Sequence, residues 1–376
     1  MLRRLLLVIV AAGALMLSAG IGFLAADWPF LHRLWRLPAD RAEWRVTVRA
    51  PVEAFDGGGS AFFPVATPGE RTIESSALAQ AESWAQAHDS VALLVLHRGR
   101  LQLERYWQGL SRDTLYPVQG LSRSLLGVVY GCAISDGLVR SLDASVDHWL
   151  TEWRGERRGA ITLRQLLQNV SGLETPALDS WVSLLGKGGR LQFGTESVRA
   201  ALSFDLAHEP GTHFAVSPVD AQLLGIVLER ASAERFPEVI SQMLWRPIGA
   251  GVAGYGLDRR GGMAAVFDGL RAAPVDLLRV GALLVKDGVA DGQQVLPQGW
   301  VREMARGSVP NPHYGLEAWQ LEGGGLMMAG DGHAIWVWPD EQLVIVRLGR
   351  ATPGWGAGTL PAILRGGLAD RVTFAR

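Results

Sequence analysis

Two hydrophobic rhythms alternate along the chain. Ser90 to His97 is a short apolar run, Arg98-Gly99-Arg100 turns the chain, and Leu101 to Trp107 alternates apolar with polar, which predicts a β-hairpin. From Leu121 to Asp136, Leu121, Leu125, Val128, Val129 and Cys132 recur at the spacing of one helix face, and Gly137 follows as a left-handed cap. Thr162-Leu163-Arg164-Gln165 fits a capping box, in which the Thr hydroxyl and the Gln side chain satisfy each other's free backbone donors. Leu163, Leu166 and Leu167 form the stripe of that helix, and Gly172 closes it. Further helical patterns cover 218–231, 237–244 and 274–285. After the glycine-rich stretch 323–332, Ala334–Val337 and Leu343–Leu348 form a second hairpin through Trp338-Pro339-Asp340-Glu341. Strands at both ends with helices between predict an α+β chain: an antiparallel sheet built from N- and C-terminal strands and flanked by helices, with an inserted, mainly helical lobe. The sheet lobe is expected over about 75–140 and 270–376, and the helical lobe over about 141–269.

The N-terminus follows a third pattern. Arg3 and Arg4 precede an uncharged run, Leu5 to Ala26, whose 22 residues as a helix would span ~33 Å against a bilayer core of ~30 Å. Segment 1–27 therefore reads as a signal anchor or a signal peptide. Small residues at Ser18-Ala19-Gly20 or Gly20-Ile21-Gly22 would suit cleavage, whereas Trp28, Phe30 and Trp35 stand where aromatic residues favour a membrane interface. Under the positive-inside tendency the expectation is a single-pass inner-membrane protein with its domain on the periplasmic side; the alternative is secretion to the periplasm after cleavage. Residues 28–74, with Asp56-Gly57-Gly58-Gly59-Ser60, read as a connector ahead of a domain covering 75–376.

Composition narrows the chemistry. With 36 Lys plus Arg against 37 Asp plus Glu the formal charge is -1, so a basic nucleic-acid partner is excluded. Only Lys187 and Lys286 are lysines; the other basic residues are arginine. The single cysteine, Cys132, excludes an intrachain disulfide and a thiolate metal site, and it falls on an apolar helix face. His208 and His213 are too few and too loosely spaced for a metal, so neither metal nor cofactor is expected.

The order and wording of the elements resemble the serine β-lactamase and penicillin-binding-protein superfamily. The likeness is to its class C-like branch of esterases, β-lactamases and aminohexanoate-oligomer hydrolases. It rests on Leu93-Leu94-Val95-Leu96-His97-Arg98-Gly99, on Ile161 to Leu167 with Ser171-Gly172-Leu173, and on Glu209-Pro210-Gly211-Thr212. Leu223-Leu224-Gly225, Trp245-Arg246-Pro247-Ile248-Gly249 and His313-Tyr314-Gly315 follow in order. The resemblance implies a serine nucleophile in Ser-x-x-Lys at the start of the helix after the first hairpin, an assisting tyrosine, and a late strand carrying Lys-Thr-Gly or His-x-Gly.

Each of those positions departs from the pattern. The nucleophile motif falls on Gly120-Leu121-Ser122-Arg123: glycine has no attacking atom, and arginine cannot become a neutral base near pH 7. Leu184 and Leu283 stand three residues before the two lysines, so Ser-x-x-Lys occurs nowhere. Val216 takes the tyrosine position, and no tyrosine lies between Tyr130 and Tyr255. The late motif reads Gly330-Asp331-Gly332-His333. A hydrolase fold without its acylation machinery is the expected outcome, a pseudoenzyme that binds a ligand or protein partner. The rival is a divergent amide, ester or β-lactam hydrolase using Ser122, or more weakly Ser124, with His333 as base. A third option is an interaction module whose pocket is filled. The expected ligand pocket is Gly120, Arg123, Asp331, Gly332 and His333, with Arg123 at a helix N-terminus suited to a small anionic or peptide-like ligand.

Overall fold

The structure, a computed structural model, describes residues 28–37, 51–59, 62–176, 178, 180–352 and 356–369. Leu5–Ala26 lies outside the described residues, and among those described no helix is long and apolar enough to cross a membrane. The N-terminal half contains α1 (Trp28–Trp35), β1 (Val52–Asp56), α2 (Ser75–Ala87), β2 (Ser90–His97), β3 (Arg100–Tyr106), β4 (Tyr116–Pro117) and α3 (Leu121–Ser135). The middle is helical: α4 (Leu163–Leu167), α5 (Trp181–Leu185), α6 (Lys187–Phe193), α7 (Ser197–Leu202), α8 (Pro218–Ser232) and α9 (Phe236–Ile240). Then come β5 (Val252–Gly256), β6 (Leu270–Ala272), α10 (Pro274–Val285), β7 (Val289–Ala290), β8 (Gln293–Gln294) and α11 (Trp300–Met304). The chain closes with β9 (Trp319–Leu321), β10 (Gly325–Gly330), β11 (His333–Trp338), β12 (Leu343–Gly349) and α12 (Thr359–Gly366).

The main sheet is antiparallel with order β3-β2-β12-β11-β10-β9, so strands from both ends of the chain lie side by side. β2 is buried along its whole length, which explains why its sequence is a continuous apolar run. Leu93 and Val95 face α2 and α12 with Trp336, Ile345, Leu360 and Leu364. Leu94 and Leu96 face the larger core around α3 and α10. α3 is buried on almost every side because it runs between this sheet and the helical lobe. Its end is as the pattern predicts, with Gly137 at φ 72°. The Thr162 capping box forms, with Thr162 N–H to Gln165 Oε1 at 2.9 Å and Gln165 N–H to Thr162 Oγ1 at 3.2 Å.

The described parts of the segment expected to be a connector are built into the fold. β1 pairs with β5 in a second sheet of order β1-β5-β6-β4, and Gly57 and Gly59 donate to the carbonyls of Gly251 and Ala250. A Cβ at Gly57 would meet the Ala250 oxygen at 2.2 Å, so Gly57 serves close packing of two backbones and not flexibility. α1 is likewise docked: Phe30 and Leu34 bury against Leu184 and Phe193. Arg33 donates to the carbonyls of Phe193 at 3.1 Å, Gly194 at 2.9 Å and Asp258 at 2.6 Å.

Candidate functional site

The site is assembled where the N-terminus of α3 meets the β10–β11 turn. β10 and β11 pair with Gly330 opposite His333, leaving Asp331 and Gly332 as a two-residue turn with φ of 53° and 93°. Positive φ at both positions is what a tight hairpin of this handedness requires, and Asp-Gly supplies it. The turn is pressed onto the helix. A Cβ on Gly330 would lie 2.3 Å from the Gly120 carbonyl carbon and 2.6 Å from the Leu121 nitrogen. In this contact Asp331 Oδ2 accepts the Gly120 N–H at 2.9 Å, and a Cβ on Gly120 would stand 2.6 Å from that same oxygen. The Asp331 carboxylate therefore fills the space a side chain at position 120 would need, and its charge suits the positive end of α3.

One helical turn on, Arg123 enters a buried polar network. Its Nε lies 3.8 Å from Glu317 Oε2, beyond hydrogen-bond reach, and that Nε is buried with no hydrogen-bond partner. The Glu317 oxygens are used elsewhere: Asn169 Nδ2 donates to Oε1 at 3.0 Å and the Tyr314 hydroxyl to Oε2 at 2.7 Å. Asn169 Oδ1 in turn accepts the Ser217 N–H at 2.8 Å, tying the network to the start of α8. Burial raises the Glu317 carboxyl above its ordinary range, against the pull of Arg123. Asp220, which accepts from Ser171 Oγ at 2.7 Å, is pushed up by burial and, more weakly, by Glu317. These groups form a buried polar setting around the Arg123 Nε.

Arg123 also lines a cleft of about 160 Å³ with Val216, Pro218, Leu178, Leu191 and Phe267. At one wall Gln192 Nε2 donates to Asp268 Oδ2 at 2.7 Å. Of the five residues expected to share a pocket, Arg123 lines this cleft. Gly120 and Asp331 meet each other at the sealed helix end, Gly332 turns the hairpin, and His333 points into the protein. Val216, expected at the tyrosine position, lines the same cleft. No sequence pattern marks the charged and polar partners Glu317, Tyr314, Asn169, Gln192 and Asp268 as site residues. The only signal for them was His313-Tyr314-Gly315, which marks the fold and lies just before Glu317.

The rescue candidates are poorly placed for attack. Ser122 is 1% exposed and its Oγ accepts the Leu270 N–H at 3.1 Å, which directs its lone pairs into the β6 backbone. Ser124 is buried as well. His333 is buried, its Nδ1 accepts the Gly349 N–H at 3.2 Å, and its ring meets Tyr116 edge-on. Burial drives its pKa down to about 4, so it is a weak base at neutral pH. The same shift makes a stability prediction. Because the folded value lies below the unfolded one of ~6.5, stability is full above that pH and falls as pH drops toward 4, by about 2–3 kcal/mol at pH 4.5. Urea titrations should show this loss in the wild type and a smaller one in His333→Asn, whose amide oxygen can still accept from Gly349. An equal loss in both would remove His333 as the cause. Among the described residues no cluster of three or more His, Cys, Asp or Glu side chains is placed to hold a metal ion.

Comparison with known proteins places this geometry. The family model described as beta-lactamase matches residues 76–361. The 6-aminohexanoate-dimer hydrolase of Paenarthrobacter ureafaciens is 25% identical over 311 residues, 75% of this chain and 79% of its own. A solved Bacillus anthracis structure, provisionally described as a 6-aminohexanoate-dimer hydrolase, superposes with a TM-score of 0.72 at 19% identity, covering 88% of this chain and 94% of that one. A Pseudomonas syringae structure described as a beta-lactamase/D-alanine carboxypeptidase superposes with a TM-score of 0.59 at 14% identity, covering 77% and 98%. The antiparallel sheet carrying α3 against its late strands is the fold these proteins share, and the chain belongs to the β-lactamase family of serine-hydrolase folds.

Proposed function

We propose that this protein is a non-hydrolysing member of its family that binds a small anionic ligand through Arg123. It is held at the membrane by Leu5–Ala26, with its domain on the outer side. The observation that carries the loss of catalysis is Asp331 Oδ2 at 2.6 Å from the Cβ position of Gly120: the locus of the family nucleophile has no attacking atom and is filled by a carboxylate. Removing the nucleophile of a serine hydrolase costs ~10⁶ in turnover, so what remains is binding. Support for an anion comes from Arg123, which lines the cleft while its Nε has no hydrogen-bond partner and Glu317 Oε2 stands 3.8 Å away. Apolar walls at Leu191, Phe267 and Val216 favour a ligand with an apolar body behind its acid group.

Hexanoate serves as the probe. Wild-type protein is expected to bind it saturably by titration NMR, and Arg123→Ala to weaken binding at least about tenfold, the loss of one charge-assisted contact. Equal affinity in both proteins would sink the anion reading. In parallel, the wild type should stay unlabelled by a fluorophosphonate serine probe. Labelling that vanishes in Ser122→Ala would overturn the non-hydrolysing reading.

A further inference from the structure

α1 begins two residues after the uncharged run Leu5–Ala26 ends, and it is fixed to the helical lobe by Phe30, Leu34 and the three carbonyl contacts of Arg33. Phe30 and Leu34 are four residues apart and share the buried face, while Trp28 and Trp35, seven apart, share the opposite one. Trp28 is 57% exposed and Trp35 81%. α5, which supplies Leu184 to the same small core, exposes Val182 at 82% and Leu185 at 51%. These are four of the large apolar side chains that the described chain leaves in solvent, and they stand on two helices that contribute to one core.

From this placement we propose that α1 and α5 form a docking surface for the bilayer interface, so that the domain lies on the membrane and is not merely tethered to it. The proposal rests on the membrane reading above and goes beyond it by naming the face. Tryptophan is the residue best suited to the head-group region, with an apolar ring and one polar N–H, and valine and leucine would enter the acyl boundary beside it. The occupant is a lipid surface because the chain itself delivers a run of membrane length to this edge. The position also bears on ligand access. α6 packs Phe193 on α1 and turns Leu191 and Gln192 into the Arg123 cleft, and Leu178 both lines the cleft and packs on the α1 core. The cleft thus lies one helix away from the docked face.

The test uses the full chain in nanodiscs of phosphatidylcholine with phosphatidylglycerol, bearing Val182→Cys labelled with a nitrobenzoxadiazole dye. Cys132 is buried and leaves the labelling selective in the folded state. A shallow spin-labelled lipid is expected to quench the dye at position 182 at least about twofold more than the same dye at Val309→Cys, a site 98% exposed and remote in sequence from both helices. Equal quenching at both positions in nanodisc-bound protein overturns the docking face while leaving the anchor intact. Failure of the chain to enter nanodiscs at all defeats the membrane reading itself. A dye shielded without lipid, whether by a second copy of the chain or by residues 5–26 folded over the face, likewise counts against docking.

Discussion

Gly120→Ser combined with Arg123→Lys is expected to remain unreactive toward a fluorophosphonate, even though it recreates Ser-x-x-Lys at the start of α3. Adding Asp331→Gly should produce labelling at least about tenfold faster than the double variant, with the first measurable ester turnover. The reason is steric and electrostatic. A side chain at 120 meets Asp331 Oδ2 at 2.6 Å, and the carboxylate is anchored by the Gly120 N–H, so a serine there is both crowded and beside a negative charge that opposes an oxyanion. Glycine at 331 accepts φ 53° without strain and empties the space. Lysine at 123 restores a base that can lose its proton, which arginine cannot do. If the double variant labels as fast as the triple, Asp331 is not the obstruction, and residues 120 and 123 alone decide reactivity.

The second large effect concerns Arg347, which is fully buried in β12. Its guanidinium donates to Ser90 Oγ at 2.8 Å, to the carbonyl of Arg350 at 3.0 Å, and to the carbonyls of Gly332 and His88. Arg347→Met keeps much of the volume and removes every donor, leaving buried acceptors unpaired. At ~1–3 kcal/mol for each stranded group the expected loss is about 4 kcal/mol or more, read from urea midpoints. Ser90→Ala removes one of these contacts and should lose about 1 kcal/mol. A small loss in Arg347→Met would mean that water replaces the donors. Because Gly332 is one of the acceptors, the same variant should loosen the turn that sets Asp331 against Gly120.

Much of the fold is legible in the sequence, and the reason is local. The apolar run at Ser90–His97, the stripe through Leu121–Cys132 and the Thr162 capping box each encode their element through spacing within a few residues. Segment 28–74 was less legible because β1 and α1 owe their order to distant partners, Val252–Gly256 and Phe193, which no local pattern announces. Glycines 57 and 59 look like a flexible tract for the same reason: the carbonyls they pack against lie about 190 residues away in sequence, at Ala250 and Gly251.

The candidate site divides along the same line. Residue identity by itself determined that Ser-x-x-Lys occurs nowhere in the chain and that glycine at 120, arginine at 123 and valine at 216 own no nucleophile, neutral base or hydroxyl, whatever surrounds them. Two lysines, neither of them three residues after a serine, settled that point without coordinates. Only the tertiary structure decided what surrounds those positions. Asp331 fills position 120 because two glycines let a turn from residue 330 touch a helix that starts at 121. Arg123 opens onto a cleft while Glu317, 194 residues later, sits too far for a hydrogen bond and is already held by Tyr314 and Asn169. Chemistry that depends on which atoms a residue owns can be read along the chain, whereas chemistry that depends on distance and burial exists only once the chain has closed on itself.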